Sequence, residues 1–285
     1  MIWIWLGLAG AIALGVTEYL TKRAYNHFDS WALAWFRNIF AIPVFATLLL
    51  SQGLPDVQSD FWKLLLIAAP LELVIGITFF IAIKLTPLSL VLPFTTFSTL
   101  FIIIGAFLIN GESLKPIYLL SFVLILLGAY FIQEKRSINW RQLHTQKSEL
   151  GIALMIFTTM LFGISVPLGE RMVAASSPFF YLTVNFSIFV LLLTPIFLAK
   201  TSGTREDFVK RGRELLIIGL CNGLFLACLW LALSNGPAGP VSAINNLSII
   251  VAVILAGTLL REQGLLRRLS ATMLMVLGAT VAVLG

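Results

Sequence analysis

Residues 62–84 read WKLLLIAAPLELVIGITFFIAIK. Apart from Glu72, this stretch carries charge only near its ends, and its length matches the roughly 20 residues that a helix needs to cross a membrane. Its apolar residues are continuous, whereas a strand of a membrane barrel alternates apolar and polar residues. The segment therefore predicts a transmembrane helix with one carboxyl group near its middle.

Similar apolar stretches follow one another along the whole chain. Of its 285 residues, 59% are hydrophobic and 11% charged, whereas about a quarter of a soluble domain is charged. The net charge of +6 lies in short loops beside apolar runs, which argues for contact with lipid head groups and against nucleic-acid binding. We expect an all-α integral membrane protein with ten transmembrane helices, at about 2–21, 31–51, 62–84, 87–109, 116–133, 150–169, 178–199, 215–234, 237–260 and 268–284, and with longer charged loops at 134–149 and 200–214.

An internal repeat relates the two halves of the chain. An offset of 150 residues aligns the third to fifth predicted helices with the eighth to tenth, and an offset of 148 aligns the first two with the sixth and seventh. We therefore predict a first five-helix repeat at 1–133, a connecting loop at 134–149 and a second repeat at 150–285. An odd number of helices per repeat inverts the second one, as in alternating-access transporters. Matched pairs are Gly15 with Gly163, Arg23 with Arg171, Arg37 with Asn185, Glu72 with Asn222, Pro87 with Pro237, Ser98 with Ser248 and Glu112 with Glu262.

Four short motifs carry a family resemblance over nearly the whole length. They are Leu14-Gly15-Val16 with Trp35-Phe36-Arg37-Asn38, Ile83-Lys84-Leu85-Thr86-Pro87, Asn110-Gly111-Glu112-Ser113 with Leu127-Gly128-Ala129, and Leu260-Arg261-Glu262 with Leu277-Gly278-Ala279. With these motifs in this order and spacing, the chain resembles the EamA family of the drug/metabolite transporter superfamily. The resemblance implies ten helices, a central cavity lined by both halves, and transport of amino acids, nucleobases, sugars or drugs.

The chain departs from the family pattern in its charge distribution. Of the 19 Lys and Arg residues, fifteen fall on one side of the predicted membrane, three on the other, and Arg37 within a helix. Since basic loops stay in the cytoplasm, this count puts both termini outside the cell membrane, whereas family members usually have both inside. Leu14 and Arg261 also replace the Trp and Gly that are usual in the family.

Glu72 and Asn222 are the first candidates for the substrate site. Ionisable groups within a span are costly and usually functional. We expect Glu72 to line the cavity, where it binds a substrate amine or takes a coupling proton. The alternative is a structural hydrogen bond to a neighbouring helix. Asn222, its repeat partner, favours the cavity, because both groups would approach the same pseudo-two-fold axis.

Arg37 lies about six residues into the second predicted helix. It is suited to binding a carboxylate or another anion. Alternatively, it reaches towards the interface or pairs with Glu18, which we expect near the interface at the same end of the first helix.

Further polar residues lie at matching positions of the fourth and ninth helices. Asn245 and Asn246 align with Thr95 and Thr96, and only one of each adjacent pair is expected to face the cavity. Phe94 and Trp230, on helices expected to line the cavity, are secondary candidates for its wall, although packing between helices is the favoured role for either one taken alone.

These features predict a secondary transporter that uses alternating access to move a small polar metabolite. An acid plus a base suits an amino acid or related zwitterion. An exporter of lipophilic cations would need Glu72 and aromatic walls but not Arg37, and a non-transporting receptor or assembly subunit is the alternative of another class. We expect no enzyme activity, cofactor or metal, a proton as a candidate coupling ion, and a monomer or weak homodimer.

Overall fold

The computed structural model describes residues 2–86, 91–113, 115–133, 146–202, 205–259 and 265–284, and these residues form helices and no strands. A 3₁₀ segment, Leu92–Thr96, precedes the helix that begins at Phe97, and a π-helical segment, Ala106–Asn110, follows that helix. The α-helices are α1 Ile2–Ala24, α2 Ser30–Ile39, α3 Ile42–Gln52, α4 Ser59–Leu85, α5 Phe97–Gly105, α6 Ile117–Gln133, α7 Gln146–Ala174, α8 Pro178–Lys200, α9 Arg205–Leu233, α10 Ala238–Asn245, α11 Leu247–Leu259 and α12 Leu265–Leu284.

The outer surface of this bundle is apolar. In the described part of the chain, seven helical stretches are long and apolar enough to cross a membrane. Large apolar side chains point outwards from them; Leu66 is 79% exposed and Leu198 is 73% exposed. An apolar belt of this size is stable only against lipid. The chain is therefore an all-helical membrane protein, as the sequence predicts.

The first helix of each half packs on the opposite half. Helix α1 contacts α9 and α11, and α7 makes the corresponding contacts with α4 and α5. The pairs α6 with α12, and α2 and α3 with α8, join matching helices of the two halves. This pattern is what an approximate two-fold relation between the halves requires.

Two matching glycines allow the crossed helices to approach closely. A Cβ atom on Gly163 would lie 2.6 Å from the carbonyl oxygen of Phe101 in α5. A Cβ atom on Gly15 would lie 2.5 Å from the Cβ of Val251 in α11. The predicted offsets relate Gly15 to Gly163 and Phe101 to Val251, so matching pairs of positions make a close contact at both crossings.

Substitution of Gly163 by alanine is expected to destabilise the protein by about 1–3 kcal/mol, because the added methyl group meets backbone that cannot rotate away. Thermal unfolding in detergent measures this as a lower midpoint. Gly212→Ala in α9 is the matched control, since no atom lies within 4 Å of a Cβ placed there. Equal midpoints for the two variants would show that the contact at Gly163 is not tight.

Three predicted helices are interrupted. The one predicted at 31–51 divides into α2 and α3, because Pro43 near the start of α3 lacks an N–H and its ring conflicts with a continuous helix. The one predicted at 237–260 divides into α10 and α11 at Asn246. The one predicted at 87–109 is described from Val91, and it contains the 3₁₀ and π-helical segments.

The predicted loops are also shorter than expected. Helix α9 begins at Arg205, so most of the predicted loop at 200–214 is helical. Helix α7 begins at Gln146 and includes the end of the predicted loop at 134–149. Residues 134–145, Pro87, Arg261 and Glu262 lie outside the described residues.

Candidate functional site

A central cavity of about 250 Å³ lies between the two halves. All five principal candidates from the sequence line it: Arg37, Glu72, Asn222, Asn245 and Asn246. The crossed packing explains this convergence, since α2 and α4 of the first half and α9 to α11 of the second half enclose the same space. Residues that are distant in sequence thus share one cavity.

Two of the four secondary candidates, Thr95 and Trp230, also line the cavity, but Phe94 and Thr96 do not. The Phe94 ring stacks on Phe97 with 6.1 Å between ring centroids, and Thr96 is buried. Their helix begins as a 3₁₀ segment, in which successive side chains turn about 120° rather than about 100°. Thr95 without Thr96 agrees with the expectation that one residue of each adjacent pair faces the cavity, and Phe94 follows the alternative of packing between helices. Asn245 and Asn246 both line the cavity, which differs from that expectation.

Glu72 faces the cavity from the middle of α4. The hydroxyl of Ser165, on α7, donates a hydrogen bond to its Oε1 atom. Because α4 and α7 belong to opposite halves, this bond joins the halves beside the cavity. Sequence analysis missed Ser165, because nothing distinguishes it from the many hydroxyl residues that bond only to their own helix.

Arg37 forms a buried ion pair with Glu18 of α1. Its Nη2 atom lies 2.9 Å from Glu18 Oε1, and its Nε–H donates to Asn222 Oδ1 at 2.9 Å. Glu18 is 4% exposed and Arg37 is 7% exposed. The predicted pairing with Glu18 is confirmed. Both side chains are buried within the protein, where each charge stabilises the other.

Several buried polar atoms around the cavity have no hydrogen-bond partner within the described structure. Four belong to cavity-lining residues: Glu18 Oε2, Arg37 Nη1, Asn185 Oδ1 and Asn245 Oδ1. Buried polar atoms are nearly always bonded in native proteins, so these atoms are suited to a polar ligand or to ordered water. Asn246 differs from its neighbour, because its amide donates to Thr99 Oγ1 at 2.7 Å.

Asn185 and Glu18 were not among the sequence candidates for this site. The signal for Asn185 was present, since the repeat aligns it with Arg37. For Glu18 the only signal was its proposed pairing with that arginine. The charged lining residues are Glu18, Arg37 and Glu72, which leaves one negative charge in excess when all three are ionised.

A second, more polar cavity of about 380 Å³ lies at the end where α7 and α9 terminate. We call it the vestibule; its lining includes Asn110, Glu112, Glu170, Arg171 and Ser234. The Asn110 side chain donates to Glu170 Oε2 at 2.6 Å and accepts from Arg171 Nε at 3.1 Å. Glu112 lies in the loop after the π-helical segment, and its partial burial raises the pKa of its carboxyl group. The vestibule is therefore a polar pocket at the contact between the two halves.

Comparison with known proteins places this architecture in a family. A solved structure, described only as a crystal structure of a protein, superposes with a TM-score of 0.75 at 13% sequence identity, and the match covers 99% of this chain and 96% of that chain. At that identity the likeness shows the fold alone. No curated protein sequence matches the chain.

The model of the EamA-like transporter family matches residues 1–133 and 149–284. The match thus falls on both halves and covers nearly the whole chain, in agreement with the resemblance carried by the sequence motifs. The chain belongs to the EamA-like transporter family and is a membrane transporter of the drug/metabolite type.

Proposed function

We propose that this transporter moves an amino acid or a related zwitterion across the cell membrane by alternating access. Two inverted repeats of five transmembrane helices rock about the central cavity, with α2 and α3 forming one interrupted helix and α10 and α11 another. The shorter apolar stretches Phe94–Asn110 and Ile117–Gly128, together with α12, complete the ten. The excess of basic residues on one side supports an orientation with both termini outside.

The observation that carries this proposal is the pair of opposite charges offered by one cavity. Glu72 presents a carboxylate that is bonded only through Oε1 to Ser165 among the described residues. Arg37 is fixed by Glu18 and Asn222, and its Nη1 atom remains without a partner. A substrate ammonium group is suited to Glu72, and a substrate carboxylate is suited to Arg37 Nη1.

Rigid support makes Arg37 suitable for this role. Two of its three nitrogen atoms are bonded within the protein, so the third points in a fixed direction at little further loss of conformational entropy. Asn185 and Asn245 each add a free acceptor atom for further substrate donors. A proton or solute gradient would drive net transport, with Glu72 as the group that exchanges a proton for substrate.

An exporter of lipophilic cations is the second candidate, because two observations favour it. Glu18 neutralises Arg37, so the cavity as a whole carries an excess negative charge. Aromatic side chains, among them Phe79, Phe80 and Trp230, form part of the wall. Such walls stabilise cations through their ring faces.

Uptake and counterflow in proteoliposomes distinguish the two candidates. The panel pairs each amino acid with the amine that lacks its carboxyl group, and adds lipophilic cations. We expect the zwitterion to be transported about tenfold to a hundredfold faster than the amine, since one charge-assisted hydrogen bond is lost. Preference for the amine or the lipophilic cation would support the exporter. A protein that moves no compound beyond the rate of empty liposomes would contradict transport of either class.

A further inference from the structure

The central cavity and the vestibule are separated by very little protein. Trp230 and Leu233, one turn apart near the end of α9, line both spaces. Trp230 is 5% exposed, so its indole ring is enclosed between the two cavities. A layer of two side chains thus divides the candidate substrate site from the polar pocket at one membrane face.

The Trp230 ring is held in place by Tyr181 and Gly169. Tyr181 packs edge to face with it, and the ring centroids are 4.5 Å apart. A Cβ atom on Gly169 would lie 2.1 Å from Cη2 of the indole and 2.9 Å from the Tyr181 hydroxyl. The ring therefore occupies space that exists because residue 169 has no side chain.

Buried apolar residues also close the opposite end of the central cavity. A cluster of buried apolar residues fills it: Ala82, Ile83, Val91, Leu92, Met155 and Ala252. Among them, Leu92 and Ala252 line the cavity, and the others pack behind these two. Close by, the Tyr25 hydroxyl donates to the carbonyl oxygen of Phe80 at 3.2 Å. Both ends of the cavity are therefore closed by packed apolar side chains, and at the vestibule end Trp230 and Leu233 are the residues that line both spaces.

Because Trp230 lines both spaces and its ring closes against Gly169, we infer that Trp230 is the gate through which the central cavity opens into the vestibule. Rotation of the indole away from Gly169 joins the two spaces, and the polar groups of the vestibule then solvate the departing or arriving substrate. Tyr181 and Gly169 are positioning residues, because they hold the ring in its closed position. The inference does not depend on which substrate the cavity binds.

Thiol labelling tests the gate without any transport assay. Cys221 and Cys228 are first replaced by alanine, because both are partly exposed free thiols. Ser242→Cys then reports on the central cavity, and Ser234→Cys reports on the vestibule. A membrane-impermeant methanethiosulfonate reagent is added at the face that carries the vestibule, and the rate of labelling is measured by mass spectrometry.

With Trp230 present, we expect residue 234 to be labelled rapidly and residue 242 slowly. Trp230→Ala is expected to raise labelling at residue 242 by at least about tenfold and to leave residue 234 unchanged, because the rate follows the open population. Gly169→Ala, which displaces the ring, is expected to act in the same direction. It also serves as the second test if Trp230→Ala does not elute as a single folded species.

Phe61→Ala is the matched control, because this fully buried aromatic residue of α4 lines neither cavity. An equal rise in labelling with Phe61→Ala would show general loosening of the fold and would overturn the gate. Unchanged labelling at residue 242 in the Trp230 and Gly169 variants would overturn it as well. Since labelling needs no transported solute, loss of the proposed substrate would not affect the outcome.

Discussion

Glu72→Gln is expected to reduce transport by at least about a hundredfold while the protein remains folded. Glutamine has the same shape and its Oε1 still accepts the hydrogen bond from Ser165, but it can neither attract an ammonium group nor carry a proton. Loss of a hydrogen bond to a charged group lowers the transport rate by about tenfold to a hundredfold, and loss of proton exchange lowers it further. Net uptake and counterflow in proteoliposomes, measured from acidic to alkaline pH, give the result.

Glu214→Gln is the matched control, because this carboxylate lies near the start of α9, beside Arg23 and Arg211 and outside the central cavity. Its transport is expected to equal that of the wild type. If Glu72→Gln lost net uptake but kept counterflow, Glu72 would exchange protons without holding the substrate. If the variant transported normally at every pH, Glu72 would have a structural role and the site would have to be rebuilt around Arg37 and the asparagines.

Removal of one charge from the buried ion pair is expected to have the largest effect on stability. Glu18→Gln leaves Arg37 without a counter-charge in a position that is 7% exposed. Loss of one partner of such a pair costs about 3–5 kcal/mol, which lowers the thermal midpoint of a chain of this size by about 10 °C. Thermal unfolding in detergent provides the measurement.

The double variant Glu18→Gln/Arg37→Gln is expected to recover most of that loss, because it removes both charges together. Asp60→Asn serves as the control for loss of an ion pair at the surface. The side chains of Asp60 and Lys63 are largely exposed, so their pair contributes less than about 1 kcal/mol. A Glu18→Gln variant as stable as Asp60→Asn would contradict a strong buried pair.

The fold was largely predictable, because hydropathy indicates the transmembrane helices and the internal repeat indicates the symmetry of the two halves. The interruptions of individual helices were not. The break between α2 and α3 lies within apolar sequence, where hydropathy does not change, and only Pro43 marks it. The 3₁₀ start of the fourth predicted helix similarly leaves no trace in hydropathy.

The site residues were predictable where a polar or charged side chain lies in an apolar helix, because such a group is costly in a membrane and had no other explanation. Glu72 and Asn222 are conspicuous in apolar helices, and both line the cavity. Ser165 could not be recognised, because a serine hydroxyl in a helix usually bonds to its own backbone and only the packing of α7 on α4 brings it to Glu72. Long-range packing of this kind is not encoded in local pattern.

The crossed packing of α1 has a consequence for the order in which the protein is made. Helix α1 leaves the ribosome early, but its partners α9 and α11 are synthesised only after most of the chain. During that interval α1 lies in the bilayer without α9 and α11, which cover it in the complete protein. Arg37, in the next helix, can neutralise Glu18 at once, whereas Asn222 joins them later. We therefore expect the ion pair to lower the cost of holding Glu18 in the membrane during insertion, before the second half of the chain is made.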